Sequence, residues 1–394
     1  MSGQPRDAVA PLYAAGFVTA FGAHSVAAGL GASGEGLGLS LLRIGILIAL
    51  YDVAEVILKP VFGSLSDRVG AKPVIVGGLV AFAVTSSIGV WGSEPLVLVL
   101  ARLGQGAAAS AFSPASSATV ARLAGPGRTG RYFGRYGSWK ALGYTLGPLI
   151  GAALLHLGGF PLLFVALAGV AALTAAWVAV RLPRIEPLPR PRYTVADVLR
   201  QSTHRAFVIP TVVLAASTGA LGAAIGFLPA LADHLGASLL VALGIASVLA
   251  LCSTFAQPLA GAARDRHLVT DPAGMTCGLL LTAGGVLLAA VWPAVAGLYL
   301  AGGLIGVGIG AATPFAFAYL ADTTPHERMG RTMGTAELGR ELGDAGGPLL
   351  VGAVATLWSL PVGLGALALV LAATSALPGG DRLVPASAPT AGGD

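Results

Sequence analysis

The sequence predicts an all-α membrane protein, with twelve transmembrane helices in two six-helix bundles related by a pseudo-two-fold axis along the membrane normal. Three observations lead there. Of 394 residues, 55% are hydrophobic and only 10% are charged, where a soluble domain carries about 25% charged residues. The apolar residues come in blocks of roughly 20, the length a helix needs to cross a bilayer. The two halves of the chain also repeat. Continuous Ala/Leu/Val/Gly runs exclude a transmembrane barrel, whose strands would alternate over about ten residues.

Twelve spans follow from apolar length and breaks: 8–30, 39–62, 73–92, 95–121, 132–156, 160–181, 206–231, 237–262, 273–292, 294–320, 332–357 and 360–378. The run from Ala8 exceeds a signal-peptide core and reads as a retained first helix. Residues 1–181 form the first bundle and 206–378 the second. Between them, 182–205 is dense in Pro and charge, as an extended linker is. The Pro/Gly/Ala-rich tail, 379–394, has the composition of a disordered segment.

The net charge is +5, and its placement carries the information. With both termini cytoplasmic, Arg6, Arg68, Lys72, Arg122, Arg128, Arg131, the run from Arg181 to Arg205, Arg264, Arg266, Arg328, Arg331 and Arg382 fall on the inner side. Arg43 alone falls outside. That asymmetry is the positive-inside pattern of a multi-pass plasma-membrane protein, not a nucleic-acid patch. Cys252 and Cys277 lie inside apolar spans and suggest no disulfide framework.

An offset of 200 residues aligns Leu98–Ala153 with Leu298–Ala353 and matches Pro114/Pro314, Arg128/Arg328, Gly130/Gly330, Arg131/Arg331, Gly134/Gly334, Gly143/Gly343, Gly147/Gly347 and Pro148/Pro348. An offset of 198 matches Pro60, Gly63, Asp67 and Arg68 with Pro258, Gly261, Asp265 and Arg266. Composition alone repeats Ala and Leu, not Pro, Arg and Gly in register. Copies of six spans share one orientation, as parallel repeats of alternating-access carriers do.

Three motifs carry a resemblance. Gly63-x-Leu65-x-Asp67-Arg68-x-Gly70-x-Lys72-Pro73 follows the second span. Gly134-x8-Gly143-x3-Gly147-Pro148-x2-Gly151 lies on the fifth. Arg102-x-x-Gln105-Gly106 lies on the fourth. Together they resemble the major facilitator superfamily, and the second is similar to the fifth-helix motif of its drug/proton antiporters, with Ala152 where a second glycine is usual. In the first motif Gly70 permits a tight turn. Asp67 can accept from the exposed amides at a neighbouring helix start, where an anion is favoured. The resemblance implies that this contact closes the inner gate against the second half; a charged stop-transfer loop is the plainer reading. The glycines of the second motif let helix backbones approach, and Pro148 bends the helix. Arg102 keeps its charge and needs an anion: the resemblance implies proton coupling or substrate binding, and an interhelical hydrogen bond is the plainer alternative.

Ionisable groups inside spans are functional candidates by default. Asp52, Glu55 and Lys59 share one face of span two, and Glu337, Arg340, Glu341 and Asp344 one face of span eleven. In the resembled fold these helices face each other. By helical rise, Lys59 lies roughly 6 Å and Glu337 roughly 8 Å from the inner surface, and Glu55 is level with Arg340 at roughly 12 Å. The expectation is a ladder of Lys59 with Glu337 and Glu55 with Arg340. Acids without a base in a low-dielectric place hold protons, so Asp52, Glu341 and Asp344 are the better proton sites. A static gate network is the alternative for the whole set.

Lys140 is the repeat-mate of Arg340; with Arg102 it would form a cationic spot suited to an anion or zwitterion, and packing against Tyr144 or Ser138 fits it too. His24, Gln105 and Gln257 complete the polar groups expected toward a substrate, although a satisfied hydrogen bond also explains His24. No metal-ligand cluster, nucleophile elbow or Walker loop is present, so no cofactor is expected and a proton gradient supplies the energy. The expected function is proton-coupled efflux of a small organic compound by a monomeric carrier in a bacterial membrane. Proton-coupled symport or exchange of an organic anion is the next reading. A receptor or membrane enzyme would need a catalytic or signalling constellation.

Overall fold

The computed structural model describes residues 5–33, 41–92, 94–125, 127–184 and 203–379. Most of the linker and nearly all of the tail expected from the sequence lie outside them. Eleven α-helices and no strand occur among the described residues: α1 (Pro5–Ser33), α2 (Leu41–Val69), α3 (Ala71–Ile88), α4 (Pro95–Ala124), α5 (Thr129–Arg181), α6 (Arg205–His234), α7 (Leu239–Asp265), α8 (Asp271–Val291), α9 (Val295–Thr323), α10 (Met329–Leu357) and α11 (Leu360–Ser375).

The longest, α5, is broken where Gly158 (φ −160°) and Gly159 (φ 66°) leave helical geometry. Only glycine adopts the second of these angles readily, so the chain doubles back into two arms, 129–157 and 160–181. The sequence had these as spans five and six. Among the described residues, eight helices are long and apolar enough to cross a membrane. Three others miss that mark for visible reasons. Helices α2 and α10 carry the ionisable rows, and α11 has 16 residues.

Within the first half, α1 packs on α5, and α4 on α2 and α3. The second half repeats this, with α6 on α10 and α9 on α7 and α8. Across the halves, α2 meets α10 and α5 meets α7. Glycine makes these crossings close: a Cβ on Gly63 would strike the carbonyl of Gly330, and one on Gly130 the carbonyl of Gly261.

Candidate functional site

The site is built at two levels. At the end of the molecule that carries the Gly63–Pro73 motif, Asp67 closes α2. Its Oδ1 accepts from the Gly330 N–H and its Oδ2 from the Arg331 N–H, both at 2.9 Å. These are unpaired amides of the first turn of α10, where partial positive charge gathers. Arg122 of α4 adds a third bond to Asp67 at 2.6 Å and donates to the His326 carbonyl at 2.8 Å. The second half returns the same contact. Asp265, at the end of α7, accepts from Gly130 N–H at 2.9 Å and Arg131 N–H at 3.0 Å, at the start of α5. Arg264 beside it binds Asp271 with both its Nε and Nη2, and reaches Asp322 at 2.8 Å and Thr129 at 2.7 Å.

The turn itself needs Gly70, whose φ is 95°. Arg68 is exposed beside the latch. Lys72 donates to the Leu182 carbonyl at 2.6 Å, tying the α3 start to the end of α5. The motif is therefore a pair of reciprocal latches. The repeat alignment held all four parts of the second latch, Asp265, Gly130, Arg131 and Gly261, but nothing in it said that each carboxylate crosses to the other copy.

Deeper in the helices lies the charge network. Lys59 is fully buried. Its Nζ lies 2.5 Å from Glu341, 2.8 Å from Glu55 and 3.9 Å from Glu337. Glu337 is also fully buried, and its Oε2 takes Lys140 at 3.1 Å and Arg340 at 3.3 Å. Two lysines of the first half thus grip two carboxylates of the second. Breaking one buried pair costs about 3–5 kcal/mol, because the remaining charge is left uncompensated.

Three expectations are corrected here. Glu55 pairs with Lys59, one turn along its own helix, rather than with Arg340. Arg340 turns to Glu337 on its own helix. Lys59 reaches Glu337 across the halves as expected, at 3.9 Å, but lies nearer still to Glu341, at 2.5 Å, so Glu341 has a base. In each case counting helical rise gave the level but not the lean of a long side chain. Finally, Arg102 and Lys140 do not form one spot. Arg102 is buried against α2, donating to the Leu47 carbonyl at 3.3 Å with its guanidinium 4.5 Å from the Tyr51 ring centroid. Lys140 is taken by Glu337.

Asp52 and Asp344 are different. Among the described residues neither has an ion-pair partner within 4.0 Å. Asp52 is exposed and Asp344 half-buried, whereas Glu337 and Lys59 are sealed. Exposure therefore rises along the row away from the motif end. Carboxylate oxygens of Asp52, Glu55 and Glu341 lie within 4.8 Å of one another. Lys59 lies against two of the three, Glu55 and Glu341.

Of the other expected polar groups, His24 lies against the Tyr144 ring, tilted by 52° with centroids 4.4 Å apart. Gln105 donates to Ser86 at 2.9 Å and serves the α3–α4 contact. Gln257 lines a cavity between the two halves, with its Oε1 unpartnered. The same cavity is lined by Lys140, Arg340, Tyr136, Tyr144, Phe133, Phe317 and Pro148. The rings of Phe133 and Phe317 stack at 5.3 Å and floor it. On the fifth-helix motif, Gly143, Gly147 and Gly151 accept the backbone or Cβ of α1 residues from Phe17 to Ser25, and Gly134 accepts Gln257 and Pro258 across the halves. Gly106 gives α4 the same close approach to α2 at Tyr51. No disulfide forms; Cys252 and Cys277 are free.

An all-helical chain with paired latches and a row of buried charge between its repeats has the make-up of a membrane carrier. The Major Facilitator Superfamily model matches residues 12–268 and 211–389, and the chain belongs to that family of transporters. Among curated relatives, the "Multidrug resistance protein MdtH" of Photorhabdus laumondii is 33% identical over 149 residues, 38% of this chain and 37% of that protein. The one from Yersinia pestis strain Pestoides F is 32% identical over 149 residues, 37% of this chain and 36% of that protein. The match therefore spans little more than a third of those relatives. Solved structures agree over nearly the whole fold. The human organic anion transporter MFSD10 gives a TM-score of 0.78 at 18% identity, covering 96% of this chain and 100% of that one. The fucose:proton symporter FucP of E. coli gives 0.77 at 13% identity, covering 95% and 98%.

Proposed function

We propose that the protein is a proton-coupled secondary transporter that exports a small organic compound by alternating access. Counting the arms of α5 separately gives twelve spans, which we read as two six-helix bundles, 1–181 and 206–378, joined by the 182–205 linker. Both termini and the latches are cytoplasmic on this reading, because Arg crowds the latch end. The observation that carries it is the crossing of Lys59 and Lys140 onto Glu341 and Glu337 beside two acids without a base. Parallel repeats supply two rigid bodies that rock about a central site. The latches and lysines hold one side shut; Asp52 and Asp344 open toward the other side, where a proton can load.

The fifth-helix glycine motif and the multidrug-resistance relatives support export. Exchange or symport of an organic anion is the second reading, favoured by Lys140 and Arg340 at the cavity floor. The energy source is the proton gradient, and the monomer is the working unit. Proteoliposomes enclosing a pH-sensitive dye test this. A substrate found by thermal-shift screening and supplied inside must drive proton entry as it leaves. Proton exit alongside substrate sinks the antiport reading, and no pH change at all sinks proton coupling.

A further inference from the structure

The cavity between α5 and α7 separates charge in a way that defines its occupant. On one side of the row, Lys59 is shared by Glu55 and Glu341, one cation for two acids. On the cavity side, Lys140 and Arg340 share the single carboxylate of Glu337, and both use its Oε2. Glu337 Oε1 has no partner, and neither has Arg340 Nε. The charged side chains that line the cavity are therefore two cations and no carboxylate, in apolar surroundings where an unmatched charge is expensive. Both cations are nearly sealed, at 4% and 7% exposure, so solvent does not neutralise them.

The walls above the floor are mostly apolar, with Thr218, Ser253, Gln257 and Thr313 among them. Tyr136, Tyr144, Leu221, Leu249 and Ile309 line it. Helices α5 and α7 touch tightly at the latch end, where Gly130 meets Gly261, and Ser138 donates to the Thr254 carbonyl at 2.5 Å. Beyond that they part. Leu149, Ile225 and Leu243 at the far rim are 41%, 37% and 39% exposed, which makes a slot open along the apolar flank of the molecule. From Lys140 to Leu149 the slot runs about 14 Å by helical rise.

We infer that this slot binds a single-chain amphiphilic monoanion, its carboxylate or sulfonate on Lys140 and Arg340 and its alkyl or aryl chain lying between α5 and α7. The anion supplies Lys140 and Arg340 with an acceptor on the cavity side, where Glu337 reaches them only through its Oε2. The chain covers apolar wall that faces neither protein nor water. A cation is repelled by the two lining cations, and a neutral head offers them no opposite charge; charge of the head group thus sets selectivity. The inference rests on the transporter reading but on neither the direction of transport nor proton coupling.

The test is equilibrium binding of radiolabelled dodecanoate to the full chain in nanodiscs of zwitterionic lipid, with empty nanodiscs as background. Dodecylamine and dodecyl glucoside compete as chain-matched cation and neutral. Saturable binding displaced by dodecyl sulfonate, but not by the amine or the glucoside, is expected. Lys140→Ala should weaken it about tenfold or more, the worth of a charge-assisted bond, and Lys140→Arg should retain it. Ala246→Phe, in the slot wall, fills the chain path without touching a charge and should abolish binding at unchanged melting temperature. It decides the matter if Lys140→Ala does not fold. Equal displacement by all three heads, or binding indifferent to Ala246→Phe, overturns the inference. Because no gradient is applied, such a failure leaves proton-coupled export standing. Anion-selective binding with no proton movement in the liposome assay would sink only the latter.

Discussion

Replacing Asp67 by Asn is the sharpest probe of how the latch end is held. Asp67 accepts two backbone N–H bonds from the first turn of α10 and one from Arg122, with distances of 2.9, 2.9 and 2.6 Å. Asn keeps one oxygen and turns the other into a donor that faces an N–H. At least one charge-assisted bond goes, worth about 1.5–3 kcal/mol, so the open-to-closed ratio at this end should rise about ten- to a hundredfold. Spin labels at Val69→Cys and Glu327→Cys, both exposed and on opposite halves, report the gap by electron–electron distance measurement after Cys252 and Cys277 are replaced by Ser. A wider population should appear in Asp67→Asn. Asp265→Asn should do the same through Gly130 and Arg131. The two latches use separate residues, so their effects should add. If both variants leave the distance distribution unchanged, the reciprocal latch does not hold this end and the reasoning fails.

Three further outcomes follow from the same geometry. Asp344→Asn and Asp52→Asn should remove pH-gradient-driven transport while sparing counterflow exchange; driven transport at the wild-type rate would remove these acids from the proton path. Lys59→Met leaves Glu55, Glu341 and Glu337 short of a buried base and should lower stability by about 3–5 kcal/mol. Adding Glu341→Gln should recover part of that in thermal unfolding; no recovery would mean the Lys59–Glu341 pair is not coupled. Gly63→Val puts a side chain where the Gly330 carbonyl sits, so the α2–α10 crossing must part, and the spin-label gap should widen without any change of charge. An unwidened gap would show that the crossing yields elsewhere.

Much of this molecule was written locally. Bilayer-length apolar blocks placed the helix ends to within about three residues, because a lipid-facing helix must be apolar for its whole length, except at the end of α2, which runs on to Val69 through the charged motif. The one place where hydrogen bonding runs across a predicted break, Gly158-Gly159, still turns there because only glycine accepts that backbone. The periodic placement of Asp52, Glu55 and Lys59, and of Glu337 to Asp344, put each set on one face, and the repeat announced that Asp67 and Asp265 are equivalent. These features depend on rise, period and composition, which a single stretch of sequence contains.

What the sequence could not contain is which groups meet. Lys59 chose Glu341 and Glu55, Arg340 chose its own helix neighbour, and Lys140 left Arg102 for Glu337. A lysine stem spans more than one helical turn, so several acids lie within its reach, and only the packing of α2 and α5 against α10 selects among them. The exchange of latches between the copies and the pair of cations at the cavity floor arise the same way. They are properties of helices brought together from opposite halves of the chain, and tertiary structure alone decided them.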